Sequence, residues 1–139
     1  MLLGQTLDSM RVWDIRRAIQ TLRGIDGMAN VPLTLAADHD LAGVTLYAAL
    51  FEPRIQEVVL GNLPTTHRDG PDFLNVLRVL DVPQTVAMVA ENSRVVIRQD
   101  GDAGWKYPLA VAKNLGWNDQ VKVQSASDKN KAEKSLSRR

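Results

Sequence analysis

One short alternating apolar run, passing at once into a helix of small side chains, constrains this chain more than any other feature. Residues 31–50 read VPLTLAADHDLAGVTLYAAL. Val31, Leu33 and Leu35 mark a buried strand over residues 31–37, and Pro32 is tolerated at a strand's first residues. Asp38, His39 and Asp40 suit a tight turn. Leu41, Val44, Thr45, Tyr47, Ala48 and Leu50 then recur at helical spacing, and Ala36, Ala37, Ala42 and Gly43 let helix and strand approach closely. In open α/β sheets ligands gather where such strands end, so the turn at residues 38–40 is the first place to look for chemistry.

The rest of the chain repeats the alternation. Residues 7–22 carry Val12, Ile15, Ile19 and Leu22 on one helical face, with Asp8 or Ser9 as a candidate cap and Gly24 or Gly27 as a stop. Glu52-Pro53 ends the helix that follows the turn, because a residue before proline avoids the helical region. Residues 54–57 read as a link and Val58, Val59 and Leu60 as a second strand. A loop rich in proline and glycine (63–72) leads to a predicted helix over 73–80, from the spacing of Phe73, Leu74, Leu77 and Leu80. A further helix starts near Pro83 and runs to about Glu91. Val95, Val96 and Ile97 form a third strand, residues 105–115 a helix stopped by Gly116, and residues 121–123 a short fourth strand. This order predicts an α/β, three-layer fold: a mostly parallel sheet of three to four strands with helices on both faces.

At 139 residues the chain suits one domain with one core. Two boundaries follow, a folded domain over 1–124 and a basic, disordered tail over 125–139. The tail has five basic residues (Lys129, Lys131, Lys134, Arg138, Arg139) against two acidic ones, a surplus of three. With the whole chain at +1, residues 1–124 are left at −2, which argues against a nucleic-acid surface on the domain. There is no cysteine, so neither a disulfide framework nor a thiolate metal site exists. No apolar run approaches the roughly 20 residues that span a bilayer and no signal peptide is recognisable. No membrane partner is expected, and a cytoplasmic setting is the default. Trp13, Trp105 and Trp117 read as half-buried packing residues.

Right-handed crossovers bring three polar turns to one edge of such a sheet. Asp38, His39 and Asp40 follow the first strand, His67 and Asp69 the second, Asp100 and Asp102 the third. Imidazoles and carboxylates perform acid–base work or hold divalent metals, and Asp38, His39, Asp40, His67 and Asp100 are the set a small metal-dependent hydrolase would use. Aspartates also favour turns and helix starts for local hydrogen-bonding reasons alone.

Taken together, the helix RVWDIRRAIQTL (11–22), the strand Leu33-Thr34-Leu35 and the small-residue helix AGVTLYAAL (42–50) resemble the C-terminal half of an α/β-hydrolase. The likeness is to the acetyl xylan esterase and dipeptidyl-peptidase-like esterase group and spans most of residues 7–124. It implies a nucleophile elbow, G-x-S-x-G, at Ala37-Asp38-His39-Asp40-Leu41. His39 stands at the serine position and Leu41 at a glycine position. The acid position falls to Asp100 or Asp102, while Asp38, Asp40, His67 and Asp69 would line the pocket. The family's C-terminal histidine has no counterpart, and the early strands and their oxyanion donor are missing. The resemblance therefore implies a fragment or catalytically incomplete relative of enzymes acting on carbohydrate esters or small esters, with no cofactor. The unpaired first strand makes a second expectation, a non-catalytic module that docks a missing N-terminal half or a copy of itself.

Overall fold

The structure is a computed structural model that describes residues 5–117 and 119–125. Helix α1 (Leu7–Arg23) starts one residue after Thr6, whose hydroxyl accepts from the Ser9 N–H while Ser9 Oγ accepts from the Thr6 N–H. This reciprocal capping box places the cap at Thr6 rather than at Asp8 or Ser9. Strand β1 (Leu33–Asp38) follows, then α2 (Asp40–Phe51), β2 (Ile55–Gly61), α3 (Val82–Val89), β3 (Arg94–Arg98), α4 (Lys106–Asn114) and β4 (Val121–Gln124). The class is α/β: among the described residues there are four strands, all parallel, in the spatial order β1-β2-β3-β4.

Two elements differ from the expectation. Strand β2 takes in Ile55, Gln56 and Glu57, read above as a link. Arg54 adopts a left-handed backbone (φ 64°) that turns the chain into the strand directly, and Ile55 is buried at 1 % exposure. The helix expected over residues 73–80 is a loop with one 3-10 turn, Val76–Arg78. Asn75 takes the left-handed conformation (φ 58°), which an α-helix does not accommodate. The apolar spacing there serves packing instead: Phe73, Val76 and Leu80 sit on Val44, Tyr47 and Ala48 of α2. The basic tail lies outside the described residues apart from Ser125, and no helix among them is long and apolar enough to cross a membrane.

Helix α2 is buried on all sides from Ala42 to Ala49. Ala42, Leu46 and Ala49 face the sheet core, while Val44, Tyr47 and Ala48 meet Val12 of α1 and the 73–80 loop. A Cβ added at Gly43 would stand 2.4 Å from Pro71 Cδ, so only glycine lets the loop lie against the helix there. The main core unites Ile19, Val82, Val86, Val89, Ala112 and Trp105 from the helical side with Ile55, Val58, Leu60, Val95, Ile97 and Val121 from the strands. Trp105 is fully buried, whereas Trp13 is exposed, with the Arg17 guanidinium 4.5 Å from its ring centre.

Because the strand order advances in one direction and such crossovers are right-handed, the described helices share one face, where the alternation in the sequence predicts helices on both. Helix α1 packs on α2, α2 on α3, and α3 on α4. The opposite face carries Thr34, Ala36 and Asp38 of β1, Glu57, Val59 and Gly61 of β2, Arg94, Val96 and Arg98 of β3, and Lys122 and Gln124 of β4. None of these belongs to the core clusters. Thr34, Ala36, Asp38 and Arg94 are exposed.

Candidate functional site

The turn between β1 and α2 is sharp because the strand's last ladder bond, His39 N–H to the Gly61 carbonyl at 3.1 Å, is followed at once by Ala42 N–H to the His39 carbonyl at 3.0 Å. One residue must reverse direction between them. His39 does so with φ 52° and ψ −126°, a combination that a residue with a Cβ adopts only under strain. The conformation lifts the imidazole off the sheet edge, where its side chain is 73 % exposed.

Two neighbours, Asp38 and Asn62, hold the ring in place. Asp38 Oδ1 pairs with His39 Nδ1 and accepts from the His39 N–H and from Asn62 Nδ2, both at 2.9 Å. The Asn62 amide, then the His39 ring, hold the Asp38 carboxyl below its usual range against a smaller desolvation cost. A carboxylate on Nδ1 selects the tautomer with that nitrogen protonated and leaves the lone pair on Nε2. Asn62 itself has a left-handed backbone (φ 47°) at the end of β2. Asn62 is not among the candidate site residues that the sequence suggests. The available signal was an asparagine at the end of the neighbouring strand, the place where a β1 turn residue finds its partner.

Beside the turn, on the sheet face that the helices leave uncovered, is an open depression of about 280 Å³ lined by Ala36, Asp38, Val59, Gly61, Asn62 and Arg98. The absence of a side chain at Gly61 lets the Asp38 carboxyl lean over it: a Cβ there would lie 2.5 Å from Asp38 Oδ2.

Asp40, His67 and Asp69 are brought together elsewhere, around a second depression of about 410 Å³ that also touches Asp8, Arg11 and Arg68. His67 takes a structural position there. Its Nδ1 lies 2.8 Å from the Pro71 carbonyl, so that nitrogen carries the proton, and its Nε2 accepts from the Tyr47 hydroxyl at 2.7 Å. Thr85 Oγ1 lies 3.0 Å from the same hydroxyl. Burial pushes the Tyr47 phenol up, only partly offset by Thr85, and keeps it a donor. Both nitrogens of the buried imidazole are thus satisfied.

Asp100 and Asp102 lie beyond β3. Asp100 accepts from the Ser125 hydroxyl at 2.7 Å, at the end of β4, and the Asp102 carbonyl accepts from Trp105 N–H at 2.8 Å. The hydrogen bond of the His39 ring goes to Asp38, with the Asn62 amide bonded to the same carboxylate, and not to either of these. Among the described residues no three histidine, aspartate or glutamate side chains form a group that could hold a metal ion. The five-residue metal set is therefore corrected, with His67 committed to Tyr47 and Pro71.

No protein-family model, curated protein or solved structure matches the chain. The geometry of the site carries the functional argument alone.

Proposed function

We propose that this chain is a hydrolase-like domain, similar in plan to the acetyl xylan esterase branch of α/β-hydrolases, whose elbow does not turn over esters unaided. The observation that carries the reading is the His39 backbone. A strand-to-helix turn that strains one residue and raises its side chain above the sheet edge is the device that exposes the nucleophile in those enzymes, and strain of this kind collects at functional sites. Four parallel strands in sequence order, with the strained turn following the first, agree with the half of the fold that begins at the nucleophile strand.

The same geometry supports an inert elbow. Asp38 and His39 reproduce the carboxylate and imidazole of a catalytic triad, but a triad also needs a nucleophile within hydrogen-bond reach of the base. The partners of this ring are a carboxylate and an amide. The first free N–H groups of α2 stand where an oxyanion would collect donors, yet Asp40 sits in that first turn and opposes developing negative charge. A carbohydrate ester or small ester remains the substrate class that the scaffold points to.

Hydrolysis of p-nitrophenyl acetate by the purified chain tests this. The expected rate is no higher than that of free imidazole at equal concentration. Turnover well above that level, lost in His39→Ala, would overturn the proposal. The uncovered sheet face favours the second reading, a non-catalytic module that docks another chain.

A further inference from the structure

A parallel sheet is almost always covered on both faces, and among the described residues this one is covered on one. The open face is also divided by charge. Its acidic side chains, Asp38 and Glu57, lie on β1 and β2, and its basic ones, Arg94, Arg98 and Lys122, on β3 and β4; within the chain Arg94 already lies 3.6 Å from Glu57 and Lys122 2.8 Å from Asp119. The pairing register arranges these residues in three rows across the sheet. Thr34, Glu57 and Arg94 form the first row, Ala36, Val59, Val96 and Lys122 the middle one, and Asp38, Gly61, Arg98 and Gln124 the last.

We infer that this face is an interface between two copies of the chain, stacked sheet on sheet about a two-fold axis parallel to the strands. The charge pattern selects both the occupant and the axis. A face with acid on one half and base on the other is complementary to itself when the halves are exchanged. An axis across the strands would set Arg94 over Arg98 of the partner subunit, like charge on like. An axis along the strands, between β2 and β3, sets β1 over the partner's β4 and β2 over the partner's β3. Glu57 then faces Arg94 of the partner subunit, and Val59 faces Val96 of the partner subunit.

The depression over Gly61 gains an occupant in the same arrangement. Gly61 lies opposite Arg98 of the partner subunit, and the Asp38 carboxyl that leans over that glycine meets the guanidinium. Asp38 Oδ1 is taken by His39 and Asn62, which leaves Oδ2, on the Gly61 side, to accept it. Sheets stacked face to face lie about 10 Å apart, a gap that arginine side chains span. The centre of the face is nearly closed already, with Val96 at 4 % and Val59 at 9 % exposure. The association is therefore mainly electrostatic and falls with salt. It is independent of whether the elbow hydrolyses esters.

Sedimentation equilibrium of the full 139-residue chain at 50 mM and 500 mM NaCl tests it. A dimer at low salt and high protein concentration is expected, weakened at least tenfold at high salt. The surface variant Arg98→Glu, with its circular dichroism and melt unchanged, is expected to be monomeric throughout. A wild-type chain that stays monomeric at 200 µM in low salt overturns the inference. A dimer that Arg98→Glu leaves intact also overturns it, because the contact then lies elsewhere.

Discussion

At the scale of single residues the two histidines divide the labour. His39 is held in the open by a carboxylate and an amide, and His67 is locked between a phenol and a carbonyl. The sequence places both on turns at the same sheet edge and does not separate them. Their difference comes from partners at long range: Tyr47 lies 20 residues before His67 on a helix whose outer face only folding defines. Removing the phenol hydroxyl exposes the cost of that lock. In Tyr47→Phe the buried Nε2 of His67 loses its donor and Thr85 loses an acceptor. A group left unsatisfied in the interior costs about 1–3 kcal/mol, so urea unfolding of this variant is expected to show a loss of that order. A loss below about 0.5 kcal/mol would mean that the His67 ring is wet or differently paired.

Elements come next, and here Asp81 joins two of them. It caps α3, accepting from Val82 N–H at 2.8 Å, and it also takes the His67 N–H at 2.7 Å and the Thr66 hydroxyl at 2.8 Å from the preceding loop. Desolvation raises its pKa, but these hydrogen bonds outweigh it and leave the carboxyl below its ordinary value of 3.8. A carboxylate depressed in the folded state contributes stability that is complete above the unfolded pKa and is lost as pH falls through the lower, folded one. Stability measured from pH 5 down to 2 is therefore expected to decline in the wild type and less steeply in Asp81→Asn, with Asp38 supplying part of the remaining slope. Equal slopes would contradict the assignment. The same loop shows why periodicity misleads at this scale. Phe73, Leu77 and Leu80 recur as in a helix, yet one left-handed asparagine leaves a single turn pressed against α2. By contrast the β1–turn–α2 unit was legible, because small residues at 36, 37, 42 and 43 permit close strand–helix contact and little else explains them together.

For the molecule as a whole, strand order, helix placement and the strained turn form one argument. Sequential parallel strands put all the described helices on one side, and the turn after β1 then stands at the corner where the open face, the edge strand and the start of α2 meet. Alternation in the sequence fixes the class of fold but does not say which face stays open, since that follows from the direction in which successive strands are added. Nor does it reveal that a histidine accepts a backbone conformation suited to glycine, which is the observation on which the functional reading stands. The direct measurement is the difference in unfolding free energy between His39→Gly and His39→Ala. Both variants lose the imidazole and its bond to Asp38, so only the backbone distinguishes them. Relief of strain at a positive φ is worth about 1–3 kcal/mol, and glycine gives back roughly 0.4–1 kcal/mol through the unfolded chain. The account predicts that His39→Gly is the more stable by about 1 kcal/mol or more. A His39→Ala variant as stable as His39→Gly, or more so, would show that the turn carries no strain and is not an elbow of this kind.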